Sequence, residues 1–460
     1  MQEVEFYNPD VVHSYYLLIP HAEANTFAIL LKQEGDHWTL PNYQPQEHHF
    51  AVVQHINDTI EANYGLAVAT LRCFHTEYDA TFGERRFYAM DNLDLSWKAA
   101  APMRWVSEND IADMNLPSDL QRNTILYWFD WLHSKNSIRA AWMRQGWYKK
   151  TSDWFIDVAD RMAMENIGKV EQIRTWARSA TLRLTTGDGN LYLKAVPEMF
   201  SYEPVITRVL SLRYPNHIPD VRGVHVDNGW MVMRDFGGKT LTKVRDLEVW
   251  KKAVREYAKM QVDLSGNTQS LVALGVPDRN VDYMASQIER MMHHLPDEIS
   301  HEEARELQRL APTLRSMCHE LVEYNIPLSL THGDFWSGNT IIKDNGDILF
   351  FDWSDASISH PFFDLPSFLS EIESELPHRS DARPQLLQAY LEVWTRYEPM
   401  ANLKHAYDLA QVLGSVHQAL FYYIHILPGI EANARWEMAS MLPYLLRQII
   451  ASIRIFKYVD

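Results

Sequence analysis

The stretch from Leu330 to Leu365, LTHGDFWSGNTIIKDNGDILFFDWSDASISHPFFDL, constrains the fold of this chain more than any other. Ile341-Ile342 and Ile348 to Phe351 are short apolar runs separated by the turn-rich pentapeptide Lys343-Asp344-Asn345-Gly346-Asp347. That pattern predicts a β-hairpin. His332 to Asn339 then form a loop entering the hairpin, and Asp352 stands at its exit. Asp334, Asn339 and Asp352 are the oxygen donors that a metal-bound triphosphate needs: one carboxylate to orient an acceptor hydroxyl, and further oxygens for magnesium. Asp and Asn also favour turns for local hydrogen-bonding reasons, and a lone His-Gly-Asp would be read that way. The spacing of the Asn after the Asp, the hairpin, and the second Asp at its far end together argue for a site.

Charge agrees with that reading. From Thr331 to Leu376 nine acidic residues face the single base Lys343. Such a patch favours a divalent metal or a cationic substrate, although part of it serves as a solvated face. The whole chain carries 43 Lys and Arg against 60 Asp and Glu, a net charge of −17. This argues against nucleic acid or an anionic membrane as the main partner.

The order His332-Gly333-Asp334, Asn339 and Asp352-Trp353 resembles the shortened H-G-D-x-x-x-x-N and D-W motifs of the aminoglycoside phosphotransferase and choline kinase superfamily. The resemblance covers about residues 150 to 460. It implies an α+β, two-lobed, protein-kinase-like fold, with a small β-rich N-lobe and a large helical C-lobe. It also implies that Asp334 is the catalytic base, that Asn339 and Asp352 hold magnesium, and that Asp364 and His332 support the loop.

At 460 residues the chain exceeds what one core usually serves, so two or three domains are expected. The 46% hydrophobic share is ordinary for a globular protein. Cys73 and Cys318 stand far apart with no metal-ligand spacing, which points to a reducing compartment. The acidic N-terminus MQEVEFYNPD has no apolar signal core, and no run reaches membrane-span length. A cytoplasmic protein with neither membrane nor nucleic acid as partner is the expectation.

In chain order, strands are predicted over Val11–Pro20, Thr26–Lys32, Leu66–Phe74 and Arg85–Ala89, with Gly35-Asp36-His37 turning the chain into His37–Pro41. Phe50, Val53, Ile56 and Ile60 predict a helix from about His48 to Tyr64, stopped by Gly65. Helices near Ser107 and from Ser118 to His133 follow. This order, with Trp38-x-Leu40-Pro41 before a helix ending in Gly65-Leu66, resembles a Nudix α/β/α domain over residues 1–135. The family's glycine pair is replaced by Asn42 and Tyr43, and its Arg and three Glu positions hold Asp58, Thr59, Ala62 and Asn63. So sparse a carboxylate set implies a catalytically silent domain; an unrelated α+β domain is the alternative.

Residues 136–152 are basic and read as a linker, after which Ser152 or Asp153 caps a helix from Trp154 to about Asn166. Ala180–Leu184 and Leu191–Val196 flank a Gly- and Asn-rich turn and form a second hairpin. Within it, Lys194 resembles the kinase lysine that pairs with the α and β phosphates; a sheet-edge lysine is the bland alternative. Glu203 is its proposed partner and Glu198 the rival. The segment Thr175–Ala180 occupies the place of the kinase glycine loop but contains no glycine. Backbone amides, the Ser179 hydroxyl and Arg178 are left to meet phosphate.

Arg234-Asp235-Phe236-Gly237 contains a D-F-G string, but it precedes the catalytic loop and falls where the resemblance implies the interlobe hinge. Met233, Asp235 and Phe236 are therefore placed beside the adenine. Helices dominate from Leu247 onward. Gln418, Tyr422 and His425 fall on one face of a late helix, either core or the lining of an acceptor pocket. The expectation is an N-lobe over 153–238, a helical C-lobe over 239–460, ATP or GTP with Mg2+ as cofactors, and a small, amine-bearing acceptor. The rival is a non-catalytic nucleotide or metabolite sensor.

Overall fold

The computed structural model describes residues 11–23, 26–80 and 83–459, and the acidic N-terminal decapeptide lies outside them. The described residues form two compact units, one of residues 11–197 with 430–437, the other of residues 198–429 with 438–459. The architecture is mixed α and β, with strands concentrated in the N-terminal region and helices in the C-terminal one.

In the first unit, β1 (His13–Leu18), β2 (Pro20–Glu23), β3 (Thr26–Glu34), β4 (His37–Thr39) and β5 (Asn42–Tyr43) precede α1 (Gln54–Tyr64). Next come β6 (Val68–Asp79), β7 (Gly83–Asn92), β8 (Met103–Ser107), α2 (Asp119–His133) and α3 (Trp147–Arg161). One sheet runs β5-β1-β7-β6, with β1 and β7 parallel; a second joins β2, β3, β4 and β8. Tyr15, Leu17, Leu30, Phe50, Ile56, Ile60 and Tyr88 close the core between helix and sheet. Each fully buried isoleucine contributes about 1.5–3 kcal/mol. The antiparallel strands β9 (Val170–Trp176), β10 (Ser179–Thr186) and β11 (Gly189–Ala195) complete the unit.

Helix α1 is shorter than its apolar spacing predicts, because residues ahead of Gln54 pair with β9. The Val53 N–H donates to the Ile173 carbonyl at 3.1 Å, and the Thr175 N–H to the Ala51 carbonyl at 2.9 Å. The polar face of α1 meets the same strand. Gln172 accepts from Thr70 N (2.8 Å) and Asn57 Nδ2 (3.1 Å), and Lys169 pairs with Glu61 at 2.5 Å. Helix α2 starts where expected, and Ser118 caps it, its Oγ accepting the Gln121 N–H at 3.3 Å. Helix α3 does not use Ser152 or Asp153 as a cap. It begins at Trp147, after Gly146, whose N–H is held by the buried Asp91 carboxylate at 2.7 Å. The predicted helix near Ser107 is a 3-10 turn, Glu108–Asp113.

Residues 430–437 return to this unit through buried charge. Arg72 on β6 donates to the Cys73 carbonyl (3.0 Å), to Asn433 Oδ1 (2.9 Å) and to the Asn433 carbonyl (2.8 Å). Glu431 accepts from Trp131 Nε1 (3.2 Å), Asn136 Nδ2 (3.1 Å) and Arg139 Nη2 (3.1 Å). A buried arginine persists only when its donors are met this way.

The second unit contains α4 (Glu203–Arg213), β12 (Val221–His225), β13 (Trp230–Arg234), β14 (Lys239–Thr240), α5 (Leu247–Leu264), α6 (Thr268–Ala273), α7 (Val281–Met292) and α8 (His301–Val322). It continues with β15 (Ser329–Thr331), β16 (Thr340–Ile342), β17 (Ile348–Phe350), β18 (Ser357–Ser359), α9 (Leu365–Ser370) and α10 (Ile372–Glu375). It ends with α11 (Ala382–Leu391), α12 (Met400–Phe421), α13 (Leu427–Gly429) and α14 (Met441–Val459). The predicted hairpin is present, with Thr340 opposite Phe350, and β14 adds to its edge beside β16. The last helix starts at Met441, which puts Pro443 in its first turn, where a missing N–H costs no intrahelical bond. Among the described residues no helix is long and apolar enough to cross a membrane.

Candidate active site

The hairpin register sets the geometry of the site. The Phe351 N–H donates to the Asn339 carbonyl at 3.1 Å, one step beyond the last paired residues of β16 and β17. Asn339 and Asp352 therefore flank the open end of the hairpin. Asn339 Nδ2 donates to the Asp334 carbonyl (3.0 Å) and to Asp334 Oδ2 (3.1 Å), so its Oδ1 is the acceptor end. Asp352 holds a left-handed backbone, φ +67, and its Oδ1 accepts from Ser354 Oγ at 2.9 Å. A non-glycine residue pays about 1–2 kcal/mol for that conformation, and such strain clusters where a side chain must be aimed.

The loop from His332 to Asn339 is held from beneath by groups that are themselves buried. Asp364 accepts the His332 N–H and the Gly333 N–H, both at 2.9 Å, together with the Tyr257 hydroxyl and Gln261 Nε2 (3.3 Å). Burial pushes the Asp364 carboxyl up, while these donors hold it down. His332 Nε2 donates to the Phe351 carbonyl at 2.9 Å, tying the loop to the residue before Asp352. Its ring lies 4.7 Å from that of Trp353. Ser337 gives its N–H (3.2 Å) and hydroxyl (2.6 Å) to Glu371 Oε2, and Gln418 Nε2 donates to the Gly333 carbonyl at 3.1 Å. Burial pushes the Glu371 carboxyl up as well. Phe335 fills the space below, stacked on Tyr257 at 4.0 Å and on Phe368 at 4.6 Å.

Asp235 is exposed, and its Oδ1 accepts the Gly237 N–H at 2.9 Å, which makes it a turn former. Met233 ends buried in β13, while the Phe236 ring packs 5.0 Å from Phe351, beside the hairpin exit. Glu203 opens α4 fully buried, at a helix N-terminus that favours negative charge, whereas Glu198 is exposed. The other two residues of the set belong to the first unit. Lys194 is half-buried on β11 opposite Thr181, and Ser179 Oγ on β10 accepts the Trp176 indole N–H at 2.9 Å.

The hard oxygens of Asn339 and Asp352 suit Mg2+. Among the described residues no group of three or more His, Cys, Asp or Glu could hold a metal by itself.

Gln418, Tyr422 and His425 do not share one surface. Tyr422–Ile426 forms a π-helical segment continuing α12, which offsets the helical spacing. Gln418 lines a cavity of about 300 Å³ with Arg383, Asp408, Gln411 and Tyr444, whereas His425 faces Arg279 and Phe421 in a separate, smaller one. Sequence reasoning missed Tyr257, Gln261 and Glu371. The available signal was Gln261, a polar residue on the apolar face of α5 that Trp250, Val254, Tyr257 and Leu264 define.

A model of the phosphotransferase enzyme family, APH, matches residues 170–400, half of the chain. Among solved structures the chain is similar to an ethanolamine kinase from Plasmodium vivax, with 13% identity and a TM-score of 0.45 over 63% of this chain and 84% of that one. It is also similar to a choline kinase from Streptococcus pneumoniae, with 11% identity and a TM-score of 0.44 over 65% and 100% of the two chains. A macrolide 2'-phosphotransferase from Brachybacterium faecium shares 18% identity at a TM-score of 0.43 over 63% and 98%. No curated protein matches the sequence.

Proposed function

The chain belongs to the phosphotransferase enzyme family, and from that premise we propose that it transfers the γ-phosphate of ATP or GTP to a hydroxyl of a small molecule, the acidic surroundings favouring one that bears an amine. The observation that carries the proposal is the Asp334–Asn339–Asp352 constellation at the mouth of one hairpin, on a loop whose backbone Asp364 grips at two consecutive N–H groups. In this reading the acceptor oxygen bonds to the γ-phosphorus as the bond to the β-phosphate oxygen breaks. The hydroxyl proton passes to the Asp334 carboxylate, and the nucleoside diphosphate leaves.

Asn339 and Asp352 hold Mg2+, which when bound neutralises charge on the phosphates. His332 and Asp364 keep the loop in register. Lys194 pairs with the phosphates with Glu203 as its counter-ion, Ser179 borders the nucleotide, and Met233, Asp235 and Phe236 form the hinge beside the base. The cavity beside Gln418 is large enough for a small acceptor, and the Gln418 side chain joins it to the Gly333 carbonyl. Residues 153–238 and 239–460 are the two lobes, with 136–152 a linker. Residues 1–135 are a silent Nudix-like domain, a reading supported by Glu61, one of the few acids on α1, being paired with Lys169.

A nucleotide or metabolite sensor is the second reading. It is favoured by the β9–β10 turn, whose Ala177 amide is already bonded to Glu437 at 2.6 Å. Turnover with ATP or GTP and Mg2+ over amino alcohols, sugars and aminoglycosides separates the two. Phosphorylation of any acceptor supports the transferase, and nucleotide binding with no turnover across the panel supports the sensor.

A further inference from the structure

The turn Ala177-Arg178 between β9 and β10 has no glycine, and its shape is imposed from three sides. The Ala177 N–H donates to Glu437 Oε2 at 2.6 Å, the Trp176 carbonyl accepts from Trp142 Nε1 at 2.9 Å, and the Trp176 indole N–H donates to Ser179 Oγ at 2.9 Å. Glu437 is 2% exposed and Ala177 4% exposed, so this amide points into the protein, out of reach of a phosphate. Arg72, fully buried, sets its Nη2 3.5 Å from Glu437 Oε1 and is itself locked by Asn433 and the Cys73 carbonyl. A charge-assisted bond from a backbone N–H to a carboxylate is among the stronger single restraints on a turn.

We propose that Glu437 and Arg72 are positioning residues for nucleotide binding: they fix the Ala177-Arg178 turn from below in place of a glycine-rich cradle. This rests on the reading of that turn as nucleotide-facing. Glycine loops reach phosphate through a pliable backbone. Here the backbone is held by a side chain from residues 430–437, and the surface of the turn is preset before nucleotide arrives. The carboxylate is a structural fixture and not a competitor for phosphate, because expelling a buried, paired ion is costly.

The test measures Mg-ATP affinity by calorimetry and KM for ATP on the full chain. Glu437→Ala should weaken Mg-ATP affinity and raise the KM for ATP, each about tenfold, while leaving kcat and the acceptor KM within about twofold, since the reacting groups lie on the other unit's loop. Glu437→Gln keeps a carbonyl oxygen for the amide and should restore ATP affinity to within about threefold of wild type. Unchanged or tighter ATP binding by Glu437→Ala overturns the proposal, as does equal impairment of the Gln and Ala variants. Hydrogen exchange at Ala177 in the wild-type protein needs no variant to fold. Slow exchange without nucleotide, unaltered by saturating Mg-ATP, supports the proposal; fast exchange that slows only with Mg-ATP overturns it. A wild-type protein that turns over no acceptor overturns the transferase reading alone, because calorimetry and exchange require no turnover.

Discussion

Replacing Gly333 by alanine should damage the active-site loop far more than its stability cost elsewhere would suggest. Gly333 has φ +78, and a Cβ there would stand 2.3 Å from the Asp355 carbonyl oxygen and 2.8 Å from its carbon. The left-handed backbone alone costs an L-residue about 1–2 kcal/mol. Relief of the clash to ordinary contact needs a shift of about 1 Å. Asp355 cannot supply it, because Arg279 Nη2 holds that same oxygen at 2.6 Å. The loop must move instead, weakening the Gly333 bonds to Asp364 and Gln418 at about 1 kcal/mol each. The total is about 3–4 kcal/mol.

A displacement of that size next to Asp334 should lower kcat by about 10² while nucleotide affinity changes little. Gly346→Ala is the control. Its φ is +83, but the nearest atom to an added Cβ is Lys252 Nζ at 3.9 Å, so only the backbone cost of about 1–2 kcal/mol remains. Urea denaturation and single-turnover kinetics on both variants give the comparison. If Gly333→Ala loses no more stability than Gly346→Ala and retains kcat within threefold, close packing against Asp355 does not set the position of Asp334.

Asp352→Ala should weaken Mg-nucleotide binding and transfer together, whereas Asp334→Ala should keep nucleotide affinity within a few-fold and lower turnover by about 10²–10⁴; titration beside single-turnover assay reads both, and normal turnover by Asp334→Ala removes the base assignment. Asp235→Asn should leave transfer intact, since the carboxylate is exposed and its oxygen serves only the Gly237 turn; loss of metal-dependent activity there would show the hinge to be misassigned. Burial pushes the Asp91 carboxyl from 3.8 up to about 6, against the Gly146 N–H. The folded state therefore retains a proton that the unfolded chain has lost, and stability falls as pH rises between those values. Asp91→Asn should gain about 1–3 kcal/mol at pH 7.5 and almost nothing near pH 4 by urea denaturation; an equal effect at both would sink the argument.

The residues legible in the sequence are those whose partners are near neighbours. The hairpin around Gly346, the start of α2 near Ser118 and the stop at Gly65 all follow from local bonding, and the structure has each of them. The start of α1 was not legible, because Val53 gives its N–H to Ile173 and not to its own helix. Nor was α3, whose entry at Gly146 depends on Asp91. Asp334, Asn339 and Asp352 could be read because one hairpin collects them. Gln261 stood out only as a polar residue on an apolar helix face, and its partner and that of Tyr257 could not be read, since their bonds to Asp364 join segments about a hundred residues apart. The π-helical segment at Tyr422 defeats any fixed spacing, which is why Gln418 and His425 were expected together.

The return of residues 430–437 to the first unit also orders events during synthesis. At translation speeds of about 5–20 residues per second, Glu437 emerges roughly 20–70 s after Arg72. Throughout that interval β6 carries a guanidinium whose Asn433 and Glu437 partners do not yet exist, and strands β9 and β10 meet at a turn with no carboxylate beneath it. The first unit to be started is thus not finished until residues 430–437 have been made. A nascent chain halted anywhere before residue 430 exposes the defect in its N-terminal part, far from the point of arrest.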